Sequence, residues 1–208
     1  ICACLVGSEM CIRDSDFLYP NPASVLAFIE NHDTDRFLGE GNNLPMLKQA
    51  STLLLTTRRI PQLYYGTEVM MNGVKSKSDG YVRKDFPGGW TGDATNALTP
   101  AGRTKIQNEC YDFYKTILNW RKGNDVIAKG SMVQFMVQNG VYAYARQYEG
   151  KTIFVMLNGT DAETTVPLKF YKEILKDSKQ GKDILSGKAI TFGEELKMGP
   201  RESLVIEL

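Results

Sequence analysis

The chain has 208 residues, 42% hydrophobic and 24% charged, with 25 lysines and arginines against 24 aspartates and glutamates. Such a composition is that of an ordinary globular protein with room for one or two cores. The net charge of +1, with both signs interspersed, gives no electrostatic case for nucleic acid or an anionic membrane surface, and no apolar run approaches the roughly 18 residues that span a bilayer.

Residues 1–15 carry neither a helix nor a strand period. Leu5–Asp14 resembles the translation of a sequencing-library adapter that joins ordinary sequence near Asp16, so residues 1–15 are set aside as an unstructured artefact. Three of the four cysteines, Cys2, Cys4 and Cys11, go with them. Cys110 remains, read as a small buried hydrophobe, with no disulfide framework and no metal-ligand spacing.

After a proline loop, Val25–Ile29 reads as a buried strand that stops in the polar run Glu30-Asn31-His32-Asp33-Thr34-Asp35-Arg36. Asn42-Asn43-Leu44-Pro45 opens a helix with a polar cap and an early proline, closed by Arg58-Arg59 at its carbonyl end. Ile60–Tyr65 is the next strand, so strand, helix and strand form a parallel βαβ unit. Glu68 to Pro100 is long, glycine-rich and irregular, although Tyr81, Phe86 and Trp90 argue for order. Thr104 with Gln107 fits a capping box, and Ile106, Cys110, Phe113, Ile117 and Trp120 keep a helical period to Arg121. From Ser131 the period is two. Asn139-Gly140 separates two alternating runs as a hairpin, and short strands follow at Thr152–Leu157, Thr164–Pro167, Asp183–Leu185, Ala189–Phe192 and Leu204–Leu208. The tail therefore reads as an antiparallel β-sandwich of about 80 residues.

Two segments carry a family resemblance. Phe28-Ile29-Glu30-Asn31-His32-Asp33 resembles the F-x-x-N-H-D motif at the end of barrel strand seven in the α-amylase family of glycoside hydrolases. Ile60–Glu68 is similar to that family's strand-eight segment, a helix-sized gap away. Asn31–Phe37 and Arg83–Trp90 look like the neopullulanase and cyclomaltodextrinase branch. One departure is Arg59, where relatives usually have glycine. The resemblance implies α/β plus all-β architecture: residues 16–128 as strands seven and eight of a (β/α)8 TIM barrel with their helices, then a β-sandwich domain over residues 129–208.

Barrel enzymes place their chemistry at the C-terminal ends of the strands. The resemblance implies that Asp33 is the third catalytic carboxylate, which stabilises an oxocarbenium-like transition state, and that His32 and Asn31 bind the same sugar. It also implies that Asp79 and Arg83, four apart, grip the next sugar toward the non-reducing side. Tyr65 is the strand-eight aromatic expected to line the pocket. On residue chemistry alone, Asn31–Asp33 also fits a polar turn capping the next helix, and Asp79–Arg83 fits a solvated ion pair.

The expected activity is that of a retaining glycoside hydrolase acting on α-1,4 links of maltooligosaccharides, cyclodextrins or pullulan. The chain reads as the C-terminal fragment of that enzyme. The nucleophile and general acid, about 5–5.5 Å apart in retaining enzymes, belong in the family to strands four and five, which no part of this chain matches; the fragment alone is expected to be inactive. Other readings are a family glucanotransferase or isomerase, and a non-catalytic glucan-binding or transporter-associated homologue. No cofactor is read from the residues, and calcium in the full-length protein is not legible. The resemblance implies an α-glucan oligosaccharide partner, a homodimer when full length, and a periplasmic ahead of a cytoplasmic location.

Overall fold

The computed structural model describes residues 18–39 and 41–208. The expected artefact at residues 1–15, with Cys2, Cys4 and Cys11, lies outside them.

In chain order the first elements are β1 (Leu26–Ala27), α1 (Leu44–Thr56), β2 (Ile60–Pro61), α2 (Asp79–Val82), α3 (Lys105–Arg121) and α4 (Asp125–Lys129). β1 and β2 are parallel, Leu26 opposite Ile60 and Ala27 opposite Pro61, with α1 as the crossover. Both strands are shorter than the sequence suggests. Two ladder pairs are formed, extended by Ile60 N–H to the Val25 carbonyl and Gln62 N–H to the Ala27 carbonyl. Leu26, Phe28 and Ile60 are about half exposed.

Helix α1 begins where Asn43 accepts the Met46 N–H, with proline in the first turn. It ends at Thr56, before the arginine pair expected to close it. The carbonyls of its last turn are taken by distant arginines instead: Arg121 Nη1 donates to Leu55 O (2.6 Å) and Arg146 Nη1 to Thr56 O (3.0 Å). The capping box of α3 is formed as read, Thr104 and Gln107 each receiving the other's backbone N–H. α1 and α3 bury Leu44, Leu47, Leu55, Cys110, Phe113, Tyr114 and Ile117 between them. α4 was not apparent in the sequence; Asn124 caps it after the Gly123 break.

The remaining strands are β3 (Ser131–Gln134), β4 (Val141–Tyr148), β5 (Lys151–Asn158), β6 (Thr164–Pro167), β7 (Gln180–Asp183), β8 (Ala189–Thr191), β9 (Glu195–Met198) and β10 (Ser203–Glu207). Six form one antiparallel sheet in the order β3-β4-β5-β10-β7-β8, and β6 pairs with β9 in a second. The Asn139-Gly140 hairpin is present, with both residues at positive φ (52° and 78°), as a tight primed turn requires. The strand expected at Asp183–Leu185 runs over Gln180–Asp183 instead. There the Asp183 carboxylate accepts the backbone N–H groups of Ser186 (2.9 Å) and Val205 (3.0 Å) and turns the chain.

Both faces of the large sheet are buried, which explains why β4 and β5 are apolar at every position in their middles. Val141, Ala143, Ala145, Phe154 and Met156 face β6, β9 and the helical turn at Lys172–Leu175. Tyr142, Tyr144, Ile153, Val155 and Leu157 face α4 and the edge of the α layer. The Tyr142–Tyr144 stripe is core, as its alternation suggests. No helix among the described residues is long and apolar enough to cross a membrane.

Cys110 is fully buried, its Sγ donating weakly to Thr67 O at 3.6 Å, and burial pushes the thiol up to about 12 from 9.0. Burial also raises Tyr114, Tyr144 and Tyr171. Above the unfolded pKa the unfolded chain loses a proton that the folded chain keeps. Stability is therefore full below pH 9, falls as pH rises from 9 toward 12 through the thiol, and falls further above 10 as the tyrosines join. Urea midpoints from pH 8 to 11 should decline accordingly, and Cys110→Ala should flatten the first part of that decline.

Candidate functional site

The turn after β1 is shaped by its own side chains. Asn31 Oδ1 accepts the Asp33 N–H (2.8 Å) and Thr34 Oγ1 accepts the Asn31 N–H (3.0 Å), so the peptide of Asp33 is fixed by local hydrogen bonds. Asn31, read as a sugar ligand, thus uses its carboxamide oxygen to orient Asp33.

In the long loop after β2, Ser78 caps the one-turn helix α2 by accepting the Tyr81 N–H. The helix presents Asp79 and Arg83 on one side, four apart. Arg83 then joins the two segments. Its Nε donates to His32 O (3.0 Å), and its Nη2 lies 3.1 Å from Asp33 Oδ1 and 3.2 Å from Asp79 Oδ2. His32 Nε2 sits 3.1 Å from the other Asp33 oxygen. The side chains of His32, Asp33, Asp79 and Arg83 are 42–60% exposed, so water and small polar ligands reach all four. Ion pairs this open add little to stability.

Tyr65 is 40% exposed, its hydroxyl donating to Lys84 O (2.6 Å) and its ring edge-on to Tyr64 at 4.7 Å. It borders the same loop.

Lys75 escaped the sequence reading, and so did the burial of Glu30 and Arg36. Lys75 Nζ donates to Asp33 O (3.0 Å) and lies 3.9 Å from Asp79 Oδ1, while its N–H donates to Asp35 Oδ1 (2.5 Å). The spacing Lys75, Asp79, Arg83, four residues apart each time, was the available signal. Beneath the site lies a buried pair, Glu30 and Arg36, each 2% exposed. Glu30 accepts from the Thr67 hydroxyl and the Phe37 N–H, and Arg36 donates to the carbonyls of Tyr65 (2.5 Å) and Val82 (3.0 Å). Gly73 permits this closeness. A methyl group there would meet Tyr81 O at 2.5 Å, and the Gly73 carbonyl accepts the Arg36 N–H at 2.9 Å.

Residues 132–207 match the sequence profile of the Cyclo-malto-dextrinase C-terminal domain. Over 176 residues the chain is 30% identical to an α-amylase of Niallia circulans, covering 81% of this chain and 29% of that one. Over 178 residues it is 31% identical to a cyclomaltodextrin glucanotransferase of Thermoanaerobacterium thermosulfurigenes, covering 82% and 22%. The chain is thus similar to enzymes of the α-amylase family. Its fold agrees: an α-amylase from Geobacillus thermoleovorans, solved with acarbose, superposes with a TM-score of 0.75 at 23% identity, over 96% of this chain and 42% of that one. The chain spans between 22% and 29% of the length of the curated relatives just described.

Proposed function

We propose that a longer protein containing this chain is a retaining α-glucan hydrolase that cleaves α-1,4 links in maltooligosaccharides, cyclodextrins or pullulan. Residues 16–128 are then the last two strand-helix units of an eight-stranded barrel, and residues 129–208 the antiparallel domain, nearest the neopullulanase and cyclomaltodextrinase branch. The half-exposed Leu26, Phe28 and Ile60 fit a parallel pair whose remaining barrel strands come from upstream sequence.

The observation that carries the reading is the convergence of His32, Asp33, Asp79 and Arg83 in one solvent-open cluster. Asp33 is the transition-state stabiliser. Its two oxygens already accept from a guanidinium and face an imidazole, donors that sugar hydroxyls can replace, and its charge opposes the cation developing at the anomeric carbon. His32 binds the same sugar, Asp79 and Arg83 the next, and Tyr65 offers an aromatic wall. The nucleophile and general acid come from upstream sequence, so this chain alone is inactive.

The full-length protein should release reducing ends from maltoheptaose, β-cyclodextrin and pullulan, while residues 16–208 alone should release none. No turnover of any of the three by the full-length protein sinks the reading. A transferase is the second reading, favoured by the cyclomaltodextrin glucanotransferases among the relatives. Its mark would be maltooligosaccharide products longer than the substrate.

A further inference from the structure

Three segments meet beneath the cluster: residues 30–37 after β1, residues 64–67 after β2, and residues 73–83 ending in α2. We infer that Arg36 is the positioning residue that sets the Asp79–Arg83 pair against Asp33, an inference that rests on the hydrolase reading of the site. Arg36 touches all three segments. Its N–H donates to Gly73 O (2.9 Å), its Nε to Val82 O (3.0 Å) and its Nη1 to Tyr65 O (2.5 Å). Val82 immediately precedes Arg83, so the Nε bond fixes the base of the side chain that reaches both carboxylates.

The Glu30–Arg36 ion pair does not by itself account for this arginine. Its one contact is long, 3.5 Å, and the carboxylate is already served by Thr67 and Phe37. Burying a guanidinium costs desolvation that a single long contact recovers poorly. What the geometry uses is the fork: two nitrogens pointing in fixed, divergent directions at carbonyls of separate loops. The flat face of the guanidinium is covered by aromatic rings, with Cζ 3.9 Å from the Tyr64 centroid and 4.8 Å from that of Tyr65. Lysine, a point donor on a flexible stem, can keep the charge but cannot hold both carbonyls.

The test compares two substrates of the full-length protein. α-Glucosyl fluoride fills only the position of the cleaved bond, whereas maltoheptaose also reaches the sugar held by Asp79 and Arg83. Misplacement by about an ångström costs up to about 10²-fold in rate. In Arg36→Lys the kcat/KM ratio of maltoheptaose to α-glucosyl fluoride should therefore fall by about tenfold or more. Arg83→Ala should lower the same ratio, and adding Arg36→Lys to it should lower the ratio little further, because both act through one contact.

If Arg36→Lys slows both substrates equally, or if its effect on the ratio adds in full to that of Arg83→Ala, Arg36 is merely structural and the inference fails while the hydrolase reading stands. If the wild-type protein cleaves neither substrate, the hydrolase reading fails and takes the inference with it. Should Arg36→Lys not fold, Tyr64→Leu uncovers the face of the guanidinium, whose Cζ lies 3.9 Å from that ring centroid, and by loosening it should lower the ratio in the same direction. An unchanged ratio there overturns the inference.

Discussion

Replacing Arg146 by methionine should destabilise the chain by about 3 kcal/mol, seen as a melting temperature roughly 6–12 °C lower. Arg146 is 1% exposed and has no carboxylate among its bonded partners. Its Nη1 donates to Thr56 O (3.0 Å), and its Nη2 to Ile127 O and Gly130 O (both 2.8 Å). These acceptors are the end of α1, the middle of α4 and the residue before β3, so one side chain on β4 ties the α layer to the sheet. Burial lowers its pKa to about 10, which leaves it charged at neutral pH. Methionine matches much of its length and apolar stem. It relieves the buried charge, but the three carbonyls cannot be mutated away, and each unpaired buried acceptor costs about 1–3 kcal/mol. Relief and loss oppose each other, and the loss is larger because it is counted three times. Lysine should recover only part of the loss, since one nitrogen cannot serve carbonyls on three elements. A change below about 1 kcal/mol would mean that water reaches those carbonyls.

Asp33→Asn should lower kcat/KM of the full-length protein on maltoheptaose by on the order of 10²–10³-fold, about 3–4 kcal/mol of transition-state stabilisation. The substitution keeps the size and the Asx-turn geometry that Asn31 imposes, since only the side chain changes and the Asp33 N–H still donates to Asn31. It removes the charge that opposes an oxocarbenium-like centre and loosens Arg83, which then keeps Asp79 and the His32 carbonyl. Because the side chain is 58% exposed, folding stability should move by well under 1 kcal/mol. A loss of rate with unchanged melting separates a chemical role from a structural one. Melting that falls in step with the rate would assign Asp33 to the turn instead.

Much of this was legible from residue patterns. The α3 capping box and the Asn139-Gly140 turn depend on residues within three positions of one another, and both formed as read. The strands at β1 and β2 came out as two-residue ladders because ladder length is set by pairing partners, which an apolar run does not specify. β9, Glu-Leu-Lys-Met, hides a two-residue period under two charges; only its pairing with β6 turns Met198 inward. The bonding of Asp33 to Arg83 spans fifty positions and has no local signature, so it was not read from the sequence; the family resemblance pointed only to each residue separately. Lys75 was passed over, and Arg36 was read only as one of the polar groups gathered at the strand end. Lys75 looked like one of many surface lysines, and Arg36 lay inside a polar run that gave no hint of its burial.

The most direct measurement follows the anomeric proton signals by NMR in the first minutes of maltoheptaose hydrolysis by the full-length protein, with Asp33→Asn alongside. The account predicts that the wild type first forms α-configured product, at a rate on the order of 10²–10³ times that of the variant. First-formed β product, or a variant as fast as the wild type, would contradict it.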